Sequence, residues 1–242
     1  MKVLLINGSP HEHGCTYRAL CEIEHTLRGE GIDTEFFRLG AAPIRGCTGC
    51  GACARMKQNR CVHDDDAVNR ALEKCADADG FVFGSPVHYA SAGGEITCLM
   101  DRMFYAGSGL MRGKPAAAIV SARRAGTTAA IDQLNKYFTI SGMPIVPSQY
   151  WPMVHGAAPE DVEKDEEGLQ IMRQLARNLA WMVKSFALDR EHGILPPAPE
   201  SGIFVPLCRL FCKNLCAIRS CCVLRRANLP FRCCFVRRER IK

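Results

Sequence analysis

Short apolar runs that each stop at a small-residue loop, and then give way to a stretch of helical spacing, constrain this chain more than any other feature. Residues 2–6, Lys2 followed by Val3, Leu4, Leu5 and Ile6, end at Asn7-Gly8-Ser9-Pro10, as a buried strand entering a loop does. From 16 to about 28, Tyr17, Leu20, Ile23 and Leu27 keep helical spacing, and Gly29 and Gly31 close the helix. A second strand is expected at 34–39, a third at 80–84 running again into Ser-Pro, a fourth at 115–120 and a short fifth at 144–146. Helices are expected after Asp64-Asp65-Asp66, which can cap, at about 95–105, at 127–139 and at about 168–187. Residues 41–64 lack periodicity and are rich in Gly and Cys, the mark of a loop or a small inserted lobe.

Strands alternating with helices imply a parallel sheet covered on both faces. Ligands of such sheets sit beyond the carboxyl ends of the strands, so the loops after strands one, three and four are the ones to read. A chain of 242 residues with 48% hydrophobic and 23% charged residues has material for one large α/β domain or two small ones. No run of about 18 uncharged apolar residues spans a membrane. The apolar stretch at the N-terminus is too short for a signal peptide, and a cytoplasmic location is expected. Fifteen cysteines without an export signal read as thiols, metal ligands or cluster ligands rather than disulfides.

The first loop is Asn7-Gly8-Ser9-Pro10-His11-Glu12-His13-Gly14-Cys15-Thr16. Its small and hydroxyl residues leave backbone N–H groups free at a helix start, where a phosphate is favoured; an ordinary strand-to-helix turn is the plainer reading. It lacks both the Gly-Lys-Ser/Thr ending of a triphosphate loop and the G-x-G-x-x-G of a dinucleotide fold. The loop after strand three, Ser85-Pro86-Val87-His88-Tyr89, offers flat apolar contact and backbone hydrogen bonds to a ring system; core packing for Tyr89 and a solvent-facing turn for His88 are the plainer alternatives. The loop after strand four, starting Ser121-Ala122-Arg123-Arg124, adds two cations near the same mouth, suited to phosphate groups unless they form only a solvated turn.

With these loops read, the sequence resembles the flavodoxin-like NAD(P)H-dependent FMN reductases, including the iron-sulfur flavoproteins, over about residues 1–200. The resemblance rests on ordered blocks: Gly8-Ser9-Pro10 with Gly14 and Thr16, the cysteine cluster, Ser85-Pro86-Val87 with Tyr89, Asp101-Arg102, Arg123-Arg124-Ala125-Gly126, Tyr150-Trp151 and Asp165-Glu166-Glu167-Gly168. It implies a flavodoxin-like, doubly wound, five-stranded parallel sheet of order 2-1-3-4-5. It implies FMN as cofactor, its phosphate on Ser9, His11, Gly14, Cys15 and Thr16, and its ring beside Ser85, Pro86, Val87, His88 and Tyr89. Ser121, Arg123 and Arg124 follow. Cys15 stands where the family usually has Asn, and His88 where an aromatic residue is common. The implied chemistry is hydride transfer from NAD(P)H, as co-substrate, to FMN, and on to a quinone, a flavin or a redox protein. The alternative is a non-catalytic electron carrier. No side chain is assigned as a catalytic acid or base, and a homo-oligomer is expected.

Cys47, Cys50, Cys53 and Cys61 form C-x2-C-x2-C-x7-C. Three thiolates two residues apart can wrap one inorganic cluster while a fourth returns from a short loop. The spacing resembles that of the iron-sulfur flavoproteins, which implies a 4Fe-4S cluster; tetrahedral zinc and unligated thiols are the other readings. The domain expectation is therefore an FMN-binding domain over 1–200, with a cysteine-rich loop at 44–64, and a Cys/Arg-rich tail over 201–242 outside the fold. From 203 onward come ten of the 31 basic residues, one of the 25 acidic residues and seven cysteines. That leaves a mildly acidic body. An RNA-binding arm, a second metal site and a membrane-surface segment are readings of the tail alone; the expectation for the whole chain is no nucleic-acid partner and no membrane span.

Overall fold

The computed structural model of the chain describes residues 1–200; the tail expected to stand apart at 201–242 lies outside them. The element order is β1 (Lys2–Asn7), α1 (Cys15–Gly29), β2 (Asp33–Arg38), α2 (Ala52–Met56), α3 (Val68–Ala76), β3 (Gly80–His88), β4 (Ser91–Ala92), α4 (Gly94–Met111), β5 (Ala116–Ala122), α5 (Thr127–Ile140), β6 (Met153–His155), α6 (Pro159–Val162) and α7 (Glu166–Glu191). Five of the strands run parallel in the order β2-β1-β3-β5-β6. The two-residue β4 pairs antiparallel with the end of β3. This is the doubly wound class expected, with one small strand added.

Alternation within each strand builds both faces of the core. In β1, Leu4 and Ile6 join Phe81, Phe83, Leu99, Met103, Leu134 and Phe138 on one face. Val3 and Leu5 join Val82, Leu20, Ile23, Leu27, Leu175 and Leu179 on the other. All four β1 side chains are wholly buried, and a strand covered on both sides reads as a continuous apolar run for this reason. The helices α1 and α7 are joined by Glu22, which accepts from Arg173 at 2.7 Å and from Arg18 at 3.0 Å. Burial pushes the Glu22 carboxyl up, but the two guanidinium groups outweigh it and hold the group below its usual range. The compact unit so built runs from Met1 to Pro196. No helix among the described residues is long and apolar enough to cross a membrane.

Two sequence expectations require correction. The fifth parallel strand is Met153–His155, not 144–146, where Ile145 makes only an isolated bridge to Ala116. Pro144 and Pro147 flank Ile145 and Val146, and prolines cannot donate to a ladder; the chain leaves the sheet there and re-enters after Pro152. The loop after β3 is the second. It is a tight hairpin whose two turn residues, Tyr89 and Ala90, both have positive φ (50° and 58°), and Val87 and His88 face Ala92 and Ser91 across it.

Candidate functional site

The registers bring the carboxyl ends of four strands to one rim: Asn7 lies beside Gly84, Pro86 beside Ser121, and Ala122 beside His155. Close approach of main chains at this rim requires glycine. A Cβ on Gly8 would stand 2.6 Å from Ile96 Cβ and 2.8 Å from Gly84 O, and Gly8 N–H donates to that carbonyl at 2.8 Å. At Gly126 (φ +92°), a Cβ would come within 2.6 Å of Ala90 Cα, so the β3–β4 hairpin and the loop after β5 interlock.

Beyond the rim opens a cleft of 700 Å³, within the usual range of small-molecule sites, about 300–1,000 Å³. Of the residues expected from sequence, Ser9, His11, Gly14, Cys15, Thr16, Pro86, Val87, Ser121 and Arg123 line it together. The first loop is held by Ser9 N–H donating to Asn7 Oδ1 (3.1 Å) and His11 N–H donating to Ser9 Oγ (3.2 Å). Thr16 Oγ1 and Ser121 Oγ share a buried hydrogen bond of 2.8 Å. The Cys15 thiol donates to Gly156 O at 3.5 Å, and burial pushes its pKa up, so the sulfur serves as a tie between loops. Helix α1 opens at Gly14 without a side-chain cap, which leaves first-turn N–H groups able to meet an anion. Asn7 Nδ2, wholly buried beneath the loop, has no acceptor among the described residues. Free backbone donors, small side chains and an apolar wall at Pro86 and Val87 form a donor set that fits a phosphate joined to a ring system.

Four expected residues stand elsewhere. Ser85 is wholly buried and staples the hairpin, accepting from Gly93 N–H at 2.9 Å and donating to Pro86 O at 2.8 Å. His88, Tyr89 and Arg124 are exposed outside the cleft lining. Conversely, Glu12, His13, Ala122 and the segment 156–159 line the cleft without having been singled out. That last segment follows β6, and its small residues carry the same signal as the other rim loops once the strand is placed correctly. Asp165 fixes it, capping α7 through Gly168 N–H (3.0 Å) and accepting from His155 N–H (2.7 Å).

The four clustered cysteines lie in a different place. Cys47, Cys50, Cys53 and Cys61 line one cavity of 240 Å³ with His63, Arg102 and Tyr105. Gly49 and Gly51 flank Cys50 with φ of +64° and +66°, the left-handed conformation that such closely spaced ligands need. The backbone N–H of Ala52 holds the Cys50 thiol below its usual range. Asn69 brackets Cys61, accepting from its N–H at 2.8 Å and donating to its carbonyl at 3.0 Å. Among the described residues, no three His, Cys, Asp or Glu side chains gather as ligands of a single ion. Four thiols lining one cavity are a donor set whose chemistry fits an iron-sulfur cluster.

Comparison with known proteins bears on the family and the fold. The family model described as NADPH-dependent FMN reductase matches residues 1–158. An iron-sulfur flavoprotein of Methanocaldococcus jannaschii is 34% identical over 193 residues, covering 76% of this chain and 98% of its own. One from Archaeoglobus fulgidus is 28% identical over 205 residues, 79% of this chain and all of its own. Among solved structures, an archaeal flavodoxin superposes with a TM-score of 0.52 at 16% identity, over 76% of this chain and 99% of that one. A flavone reductase does so at 0.59 and 20%, over 79% and 65%. At such identities the structures establish the flavodoxin-like fold alone.

Proposed function

The chain belongs to the NADPH-dependent FMN reductase family, and from that premise we propose that it is an NAD(P)H-dependent flavin oxidoreductase that hands electrons on to a small-molecule or protein acceptor. The observation that carries this reading is the single cleft in which the α1 N-terminus, the Thr16–Ser121 pair and the Pro86-Val87 wall meet. FMN, when bound, supplies hydride acceptance and one-electron release. The chain's own part is to bind and orient. Backbone N–H groups of Gly14, Cys15 and Thr16, with the Ser9 hydroxyl, receive the phosphate, while Pro86 and Val87 border the ring and exclude water from that side. Arg123, exposed on the rim, meets the phosphate groups of an arriving nicotinamide cofactor. Tyr89 is exposed at the hairpin tip, outside the cleft lining, and takes no part in this reading.

Cys47, Cys50, Cys53 and Cys61 would hold a 4Fe-4S cluster, a store for single electrons. The shared cysteine cavity favours a second reading, that of a flavin and iron-sulfur electron carrier without its own nicotinamide turnover. One preparation tests both. Chain purified without air should show flavin absorbance, or take up added FMN, and should contain iron and sulfide. Steady NADH or NADPH consumption with a quinone or free flavin as acceptor identifies the oxidoreductase; loaded protein that consumes neither identifies the carrier. Colourless protein that takes up no FMN overturns both.

A further inference from the structure

Arg102 stands in α4 and is only 2% exposed, the largest fully buried side chain of the described chain. A buried guanidinium must be paired and hydrogen-bonded, and this one spends four of its five N–H donors on the cysteine lobe and its flank. Nη1 donates to Arg45 O at 3.2 Å and to the Asp66 carboxylate, and Nη2 donates to His63 O at 2.7 Å. Those bonds tie the entry and exit of the lobe to α4. Nε donates to Cys61 Sγ at 3.3 Å. Architecture does not require that last bond, because Asn69 already fixes the Cys61 backbone from both sides. Arg102 also lines the cavity shared by the four cysteines. A buried cation thus touches one ligand sulfur, with its carboxylate counter-ion immediately behind it.

We propose that Arg102 and Asp66 are an opposed pair that sets the reduction potential of the cluster held by Cys47, Cys50, Cys53 and Cys61. This rests on the cluster reading of those cysteines. One-electron reduction, by reduced flavin or an added one-electron donor, adds one negative charge to the cluster and its thiolates, with no bond formed or broken. Cluster potentials follow net charge, hydrogen bonds to sulfur and solvent exposure. An N–H bond to the Cys61 sulfur and a nearby cation therefore favour the reduced state, and the Asp66 carboxylate partly cancels them. Arg55 donates to Cys50 O at 3.0 Å, and Arg60, next to Cys61, pairs with Asp64, but all three are solvent-accessible, so solvent and salt screen them.

The test uses the full chain, loaded anaerobically with iron and sulfide, in wild type, Arg102→Gln, Arg102→Lys and Asp66→Asn. Iron and acid-labile sulfide per chain are assayed first, and the cluster and flavin are then titrated separately by visible and EPR spectroscopy. Arg102→Gln should lower the cluster's reduced-to-oxidised ratio at fixed potential about tenfold, about 59 mV for one electron. Asp66→Asn should raise that ratio, Arg102→Lys should fall between wild type and Arg102→Gln, and the flavin couple should stay in place. A residue that only builds the lobe gives lower loading and no opposed shifts. Shifts of the same sign, or none, in loaded Arg102→Gln and Asp66→Asn overturn the inference. If Arg102→Gln does not load, Asp66→Asn decides alone: a raised ratio supports the pair, and an unchanged or lowered one overturns it. A wild-type chain that takes up neither iron nor sulfide overturns the cluster reading and this inference with it.

Discussion

Thr16 and Ser121 come from elements more than a hundred residues apart in sequence, yet both hydroxyls are buried and bonded to each other at 2.8 Å. Replacing Thr16 with Val keeps the volume but leaves the Ser121 hydroxyl without that partner, and a stranded buried hydroxyl costs about 1–3 kcal/mol. Thr16→Val should therefore lower the urea midpoint at unchanged slope and weaken FMN uptake. Thr16→Val with Ser121→Ala should cost less than the sum of the two, because each single change already breaks the bond. Both residues entered the expectation through the family resemblance, as small hydroxyl residues on segments that leave the carboxyl ends of strands, and the structure places both in the cleft lining. Ser85, next to the same rim, carries an identical local signature. Its hydroxyl instead closes the hairpin on Gly93, and only the position of β4, unreadable in a two-residue stretch, separates the cases.

At the scale of elements, the β3–β4 hairpin depends on its neighbour. Its turn places Tyr89 and Ala90 at positive φ, a conformation that costs a residue with a Cβ about 1 kcal/mol or more, and no Asn-Gly or Gly-Gly announces it. Sequence reading therefore leaves it a loop. What holds the turn is its packing on Gly126, where an added Cβ would strike Ala90 backbone at 2.6 Å. Gly126→Ala should accordingly destabilise the chain by about 2–4 kcal/mol, combining strain at φ +92° with overpacking, and should loosen the wall formed by Pro86 and Val87. Thermal unfolding and flavin fluorescence on titration read the two effects. The α1–α7 tie is pH-dependent with a definite sign. Because Glu22 is held below its usual range when folded, its contribution is complete above about pH 5 and drains away as pH falls through its unfolded value near 4.5 toward the folded one. Glu22→Gln should cost about 1 kcal/mol at neutral pH and flatten the decline in stability between about pH 5 and 3, as urea unfolding across that range would report.

For the molecule as a whole, the alternation of apolar runs and helical stretches carried the architecture, because strands buried on both faces leave a signal that survives uncertain boundaries. The fifth strand was misplaced because Ile145 and Val146 look more strand-like than Met153-Val154-His155, and propensity cannot see which segment lies beside β5. The segment 156–159 was lost with it. Among the described residues, the parallel strands and those lining the cleft and the cysteine cavity belong to the unit Met1–Pro196. The residues from 203 onward bring ten basic and one acidic residue to a chain of net +6, so the remainder carries a mild negative charge. Deleting 203–242 should then leave FMN stoichiometry, the iron content and the unfolding midpoint as they are in the full chain. It should also move the protein from cation- to anion-exchange binding at neutral pH. Loss of flavin or of cooperative unfolding in the shortened chain would mean that residues beyond 202 complete the site. Unchanged flavin binding with a reversed exchange behaviour would place both the fold and the flavin cleft entirely in the acidic body.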